Sequence, residues 1–298
     1  MVFIIDGNHL ACRCFFAIDA LMTSYGKSTN AIYGFVTFLR SFIKRFGVEN
    51  HYFIAWDSRS KTWRHELYPE YKLGRKKFPD HFYEQLDDIR EIIKILGISQ
   101  YKIESIEADD IIGTLTYKAR KNRQRVIIVS SDHDFEQLIS NNVKVLSPSL
   151  AQSKEKLKDY DFVVNKYNLE PKQLIDYMAL CGDSSDNVLG IPGFGPKTVT
   201  NLLKANENLD NILINVNNLK ILNKKNILID ASKNIKKKIS DNLDTILLSK
   251  KLVTINCLLD IEPVFIKNTL NLGKLIVYFR KLEFMRLLNN LQNWKSVF

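Results

Sequence analysis

The sequence predicts an α/β fold, a parallel doubly wound sheet followed by a helical C-terminal region, on three observations. Short apolar runs suited to buried strands alternate with stretches of helical period through the first half of the chain. Those runs end on acidic residues. Beyond about residue 204 the composition turns to Asn, Lys, Ile and Leu, with Leu and Ile at helical spacing.

Val2-Phe3-Ile4-Ile5 reads as the first strand, stopped by the turn residues Asp6-Gly7-Asn8. From Ala31 to Phe46, Ile32, Phe35, Val36, Leu39, Phe42, Ile43 and Phe46 fall on one helical face with Arg40, Lys44 and Arg45 off it, which predicts a core-facing helix. His51-Tyr52-Phe53-Ile54-Ala55-Trp56 is a second strand ending on Asp57. Arg125-Val126-Ile127-Ile128-Val129 is a third, running into Ser130-Ser131-Asp132-His133-Asp134. A short apolar segment around Tyr101 to Ile103 precedes Glu107-Ala108-Asp109-Asp110, after which Ile111, Ile112, Leu115 and Ala119 recur at helical spacing. This predicts a buried helix whose first turn is loaded with negative charge. Glu107 and Asp110 would share a face with Asp109 elsewhere, so all three converge only if Glu107 sits just outside the helix. Acids also favour helix starts through capping and the macrodipole, and a single aspartate after a strand is a common turn residue.

At 298 residues and 45% hydrophobic content, the chain can bury a core in one large domain or two smaller ones. No apolar run approaches ~18 residues and the N-terminus lacks a signal-peptide pattern, so no membrane association and a cytoplasmic location are expected. Cys12, Cys14, Cys181 and Cys257 show no CxxC spacing, which fits reduced thiols rather than a zinc ribbon or a disulfide scaffold. With 43 Lys and Arg against 33 Asp and Glu, the net charge of +10 points to a polyanionic partner such as nucleic acid.

In open parallel sheets, sites form in the crevice beyond the carboxyl ends of the strands. Asp6, Asp57, Asp132 and Asp134 fall at such ends, and the helix after Glu107 should open on the same edge. Asp183 and Asp186, in Gly182-Asp183-Ser184-Ser185-Asp186-Asn187, add two acids at a spacing that suits one face of a helical turn or, equally, an Asx turn. Nine carboxylates cannot share a small volume uncompensated, because like charges repel. Hard divalent cations resolve this: Mg²⁺ suits phosphate chemistry, and Mn²⁺ can replace it. Two such ions about 3.5 to 4 Å apart stabilise the attacking and leaving oxygens of phosphodiester hydrolysis.

Lys61, Arg64, Lys72, Arg75, Lys76 and Lys77 interleave with Trp63, Tyr68, Tyr71, Phe78, Phe82 and Tyr83. That mixture tracks a nucleic-acid backbone while stacking bases, or else is a solvated basic surface over packed aromatics. Gly190-Ile191-Pro192-Gly193-Phe194-Gly195-Pro196-Lys197-Thr198 precedes a helical stretch from Val199 to Leu203. Its glycines expose N–H groups that can hold a phosphate, with Lys197 adding charge, or they form only a tight corner. Further helices are expected around Leu243, Ile246 and Leu247 and over Leu282 to Leu291, while Lys236-Lys237-Lys238 reads as a solvated face.

Five segments, in order, resemble the motifs of the 5′-nucleases: Ile5-Asp6-Gly7-Asn8, Tyr71-Lys72-Leu73-Gly74-Arg75, Glu107-Ala108-Asp109-Asp110, Asp132-His133-Asp134 and Gly182 to Asn187. The likeness runs from residue 2 to about 204, with His133 where the family usually has Lys. It implies a PIN-like, Rossmann-like core over residues 1–163 with a helical arch at about 61–100. A helical DNA-binding domain would follow over 164–298, with a helix-hairpin-helix element at about 174–204. It further implies that Asp6, Asp57, Glu107, Asp109 and Asp110 surround a first Mg²⁺, and Asp132, Asp134, Asp183 and Asp186 a second. Lys72 and Arg75 would touch the scissile phosphate, Arg13 and Lys76 would contact DNA, and Tyr71 would stack beside the cleavage point. Gly190, Gly193, Gly195 and Lys197 would grip duplex, with a monovalent cation such as K⁺ at the 190–195 turn. The activity implied is that of a free-standing, monomeric 5′→3′ exonuclease or flap endonuclease acting on DNA 5′ ends, flaps or nicks in replication and repair. Removal of RNA primers and non-catalytic junction binding stay open as alternatives.

Overall fold

The structure is a computed structural model that describes residues 1–150, 154–264 and 269–298. β1 (Val2–Asp6), β2 (His51–Trp56), β3 (Ser99–Lys102), β4 (Val126–Val129), β5 (Val143–Ser147) and β6 (Lys156–Lys158) form one sheet in the order β3-β2-β1-β4-β5-β6. Every pairing is parallel except the antiparallel β5–β6 edge. The three strands read from sequence are β1, β2 and β4; β5 and the three-residue β6 were not foreseen. The chain winds out from β1 to β2 and β3, then returns to lay β4 on the other side of β1. The edge between β1 and β4 is therefore the topological switch point, where crossovers diverge and leave a crevice.

Strand pleating divides the core in two. Phe3, Ile5, Tyr52, Ile54 and Trp56 pack on one face against α1 (Gly7–Ala17), α2 (Asn30–Phe46) and α4 (Asp80–Ile95). Val2, Ile4, Phe53, Ala55, Val126 and Ile128 pack on the other against α5 (Ala108–Lys121). Burial of both faces is what makes these strands continuously apolar. Within the expected arch, the overhang is narrower than 61–100. The short α3 (Trp63–Leu67) and the turns after it face the crevice, but Phe82, Leu86, Ile89, Ile92 and Ile93 of α4 belong to the core.

After α6 (Tyr160–Tyr167), a separate helical core is built from α7 (Leu174–Cys181), α8 (Pro196–Asn206), α9 (Leu209–Ile214), α10 (Lys233–Asp241) and α11 (Leu243–Val253), with a small hairpin of β7 (Lys220–Leu222) and β8 (Leu228–Asp230). The expected assignment of all of 164–298 to that second unit needs correction. Leu275 and Phe279 of α12 (Leu272–Lys281), followed by Leu282, Phe284, Leu287, Trp294 and Val297, join the α2–α4 core of the first unit. Nor is Leu282 to Leu291 one helix. Glu283 adopts a left-handed φ of 56°, which turns the chain so that Leu282, Phe284 and Leu287 all reach the core, and only Met285–Leu288 (α13) is helical there, ahead of α14 (Gln292–Lys295). Among the described residues no helix is long and apolar enough to cross a membrane.

Candidate active site

The carboxyl edge of the sheet delivers the acids. Asp6 ends β1 and caps α1, accepting from His9 N at 3.0 Å and from the Ser130 hydroxyl at 3.0 Å. Asp57 follows β2 and accepts from Ala108 N at 2.9 Å, tying it to the start of α5. Glu107 is the N-cap residue of α5, with extended backbone, so it stands just outside the helix as the convergence argument requires. Asp6, Asp57, Glu107, Asp109 and Asp132 line one cavity of about 820 Å³ together with Lys72, Arg75 and Lys77. Asp134 follows two residues after Asp132, and its buried Oδ1 makes no hydrogen bond among the described residues, with His133 Nε2 3.5 Å away.

Crowded anions in a buried place should hold protons more tightly, and four of these acids do, while the His133 hydrogen bond holds Asp183 below the usual carboxylate range. Burial, then the charge of Asp57, pushes Asp6 up to about 7. Burial, then Asp132, pushes Asp134 up to about 7. Asp57 and Asp109 are raised as well, chiefly by burial.

The chain supplies its own cations to this cluster. Lys72 Nζ lies 3.1 Å from Glu107 and 3.6 Å from Asp186, and Arg75 pairs with the other oxygen of Asp186. Burial disfavours the Lys72 charge, but Glu107, Asp109 and Asp186 outweigh it and hold the ammonium protonated. Lys72 and Arg75 both reach Asp186, and neither stands on a helix. Lys72 has a left-handed φ of 57°, and its N–H donates to the Asp186 carbonyl at 2.9 Å. Asn187 Nδ2 in turn donates to the Glu70 carbonyl at 2.8 Å, so the 70–75 turn is stitched to the 183–188 loop.

Asp183 and Asp186 do not share a helical face. Asp183 and Val188 exchange backbone hydrogen bonds at 2.9 and 2.8 Å, closing a tight loop, and Asp183 Oδ1 is taken by the N–H and hydroxyl of Ser185. Asp183 faces His133, whereas Asp186 faces Tyr71, Lys72 and Arg75. His133 has more consequence than its sequence position indicated. It lies 3.7, 3.5 and 3.4 Å from Asp132, Asp134 and Asp183, and its hydrogen bond with Asp183, followed by these neighbouring charges against the cost of burial, pushes it up to about 9. An imidazolium thus fills the space among three of the acids. Ligand atoms of Asp132, His133 and Asp134 all lie within 4.8 Å of one another.

Asp110 and Tyr71 occupy places other than those expected. Asp110 is fully buried, and both its oxygens are engaged by Arg64 at 2.8 and 2.9 Å, Trp63 Nε1 at 2.9 Å and Asn256 N at 2.9 Å. That saturation leaves it a structural anion rather than a donor to an ion. Arg64, only 2% exposed, also donates to the carbonyls of Leu252 and Thr254. Tyr71 is 4% exposed, its hydroxyl donating to Asp186 at 3.0 Å and Glu107 at 3.3 Å, so it offers no face to a base. Of the remaining candidates, Arg13 is exposed and donates to the Ser131 hydroxyl at 3.1 Å, and Lys76 is exposed on the turn after Arg75.

The glycine-rich turn joins α7 to α8. Ile191 N donates to Leu180 O at 2.9 Å, and a side chain at Gly190 would strike the Cys181 backbone at 2.2 Å. Gly193 has a φ of 77°, Gly195 is the N-cap position of α8, and Lys197 is exposed in its first turn. The Lys236–Lys238 run is not simply a solvated face. Lys238 Nζ donates to the Pro192 carbonyl at 2.8 Å, placing an ammonium on the turn expected to hold a monovalent cation, and Lys236 Nζ donates to the Asn217 carbonyl at 2.6 Å.

Residues 1–168 match the family described as 5′-3′ exonuclease, N-terminal resolvase-like domain, and residues 169–271 match its C-terminal SAM fold. The chain is 40% identical over 214 residues to the 5′-3′ exonuclease of Aquifex aeolicus, covering 72% of each protein. It is 36% identical over 261 residues to the thermostable DNA polymerase I of Thermus thermophilus, covering 88% of this chain but only 29% of the polymerase. Its fold resembles that of bacteriophage T5 flap endonuclease in a complex with DNA and metal ions, with a TM-score of 0.68 and 18% identity over 99% of this chain and 97% of that one. On these matches the chain belongs to the 5′-3′ exonuclease family.

Proposed function

We propose that this chain is a divalent-metal-dependent 5′-nuclease that hydrolyses phosphodiesters near junctions of single and double strands, with DNA flaps, nicks and 5′ ends as substrates. One observation carries the reading: Asp6, Asp57, Glu107, Asp109 and Asp132 meet in a single cavity that Lys72 and Arg75 overhang. A buried anionic pocket in a chain of net charge +10 suits a polyanion whose phosphate must be brought against metal ions.

The donors fit such ions. They are carboxylate oxygens, the buried Oδ1 of Asp134 makes no hydrogen bond among the described residues and lies 3.5 Å from His133, and the burial and mutual repulsion that raise Asp6, Asp109 and Asp134 are what bound cations would offset. We assign Asp6, Asp57, Glu107, Asp109, Asp132, Asp134, Asp183 and Asp186 to hold a pair of Mg²⁺, with Mn²⁺ able to substitute. When bound, the ions supply a Lewis acid for the phosphoryl oxygens and an activated water. Lys72 and Arg75, released from Glu107 and Asp186, turn to the scissile phosphate and offset charge growing on its oxygens. Arg13 and Lys76 hold flanking phosphates, and the Gly190–Lys197 turn grips the duplex backbone without reading sequence. The chain acts as a monomer in this reading.

The test is incubation with Mg²⁺ of end-labelled 5′-flap, nicked, blunt and RNA-primed duplexes. Chelator-sensitive products cut at the flap junction or released from the 5′ end are expected. Binding to the flap without any cleavage would overturn the enzymatic reading, and cleavage confined to the RNA-primed duplex would replace DNA as the substrate.

A further inference from the structure

Phe16 is 72% exposed, an unusual place for a large aromatic on an ordered helix. It stands one helical turn after Cys12, which lines the acidic cavity, and three residues after Arg13. Its ring is held from beneath and from one side. Phe15 meets it edge-on at 5.3 Å, and Phe78, itself part of the cavity lining, meets it at 5.9 Å. Phe78 is in turn packed on Phe82 at 4.5 Å, so the exposed ring rests on a buried aromatic stack rather than waving in solvent.

We propose that Phe16 is a stacking platform for an unpaired base of the 5′ strand as that strand enters the cavity. The inference rests on the nuclease reading above and names the group that positions its substrate. A nucleic acid passing the acid cluster exposes bases as well as phosphates, and a base needs an aromatic face near the cationic contacts that hold its backbone. Tyr71, the aromatic the sequence offered for this task, is sealed against Glu107 and Asp186. Phe16 has the exposure that Tyr71 lacks, and it is continuous through Phe78 and Cys12 with the cavity walls. A nucleobase is a better occupant than an apolar protein segment, because Arg13 stands three residues before Phe16 on the same helix and Phe78, which Phe16 touches, lines the cavity together with Arg75 and Lys77.

The experiment uses a 5′-flap duplex carrying 2-aminopurine at successive flap positions, bound in Ca²⁺ so that it stays uncut, with steady-state cleavage measured separately in Mg²⁺. Wild type should quench the probe at one position. Phe16→Ala should lose that quench and raise KM by about tenfold with kcat little changed, as loss of one base–aromatic stack does. Phe16→Trp should restore both. An unchanged quench and KM in Phe16→Ala overturns the proposal. So does a wild-type dimer in sedimentation that Phe16→Ala converts to monomer with the quench intact, which would make the ring a contact between copies. Absence of any Mg²⁺-dependent cleavage by wild type is a different failure, since it removes the nuclease reading before any Phe16 variant is compared.

Discussion

Arg64 and Asp110 meet fork to fork, Nη1 donating to Oδ2 at 2.9 Å and Nη2 to Oδ1 at 2.8 Å, with both side chains closed to water. A buried pair of this kind is costly to break from one side, because the remaining charge keeps its desolvation penalty. Through Leu252 and Thr254 the same guanidinium ties the acidic start of α5 to the end of α11. Arg64→Met is therefore expected to lose about 3–5 kcal/mol in urea unfolding. Asp110→Asn should also unfold earlier while keeping nearly wild-type Mg²⁺ affinity by calorimetry. A large loss of Mg²⁺ affinity at unchanged stability would make Asp110 a ligand.

Lys72 offers a charge poised over the acids and ion-paired with Glu107 and Asp186. Lys72→Ala should bind a 5′-flap about as wild type does and cut it about 10²–10³-fold more slowly, the range found when one preorganised donor to a developing anion is removed. Single-turnover cleavage under saturating Mg²⁺ measures this. Normal turnover would take Lys72 out of the chemistry.

The raised acids give the metal-free protein a definite pH response. Asp6 and Asp134 titrate at about 7 in the fold against an ordinary 3.8, so the stability they contribute is full below the ordinary value and lost as pH rises through about 7. His133, at about 9 against 6.5, adds a second loss as pH rises through about 9. From these groups the melting temperature of metal-free protein should thus fall between about pH 4 and pH 9. Saturating Mg²⁺ should flatten that fall, because cations then compensate the carboxylates in place of protons. A metal-free melting temperature that rises over this interval would contradict the electrostatic reading.

Lys197 is exposed in the first turn of α8 and does not line the acidic cavity. Lys197→Ala should weaken binding of duplex evenly across sequences and lower the salt slope of binding by about 1, leaving kcat unchanged. Fluorescence anisotropy over a salt series reads both quantities. An unchanged slope would place the duplex elsewhere.

The acids at strand ends were legible because sheet topology converts a local pattern into a place: a residue that ends a parallel strand near the switch point has one destination. The place of Glu107 just outside the helix was legible from the spacing, whereas Asp110, read as converging with it and Asp109, is held by Arg64 and Asn256. Arg64 was not legible, because its partners lie 43 to 46 residues away at Glu107 and Asp110 and 188 to 190 away at Leu252 and Thr254. No local period reports such contacts. Tyr71 was open for the complementary reason: the basic and aromatic mixture suits either stacked bases or packed aromatics, its stacking role was implied only by the family resemblance, and the loop stitched to its turn by Asp186 and Asn187 buries it. His133 showed in sequence only as a residue between two aspartates, because its contact with Asp183 joins two segments 50 residues apart.

The most direct measurement compares wild type with Asp134→Asn on one end-labelled 5′-flap duplex, with cleavage followed in Mg²⁺ and affinity in Ca²⁺. Among the described residues the buried Oδ1 of Asp134 makes no hydrogen bond and has the His133 imidazole 3.5 Å away, so its charge is the one a bound cation would compensate most and amidation should cost most. Wild type should cut only with divalent metal present. The variant should bind the flap nearly as tightly and cut it at least about 10³-fold more slowly. Equal cleavage by the two proteins, or wild-type cleavage that survives chelation, would contradict an acid pocket that works through bound metal ions.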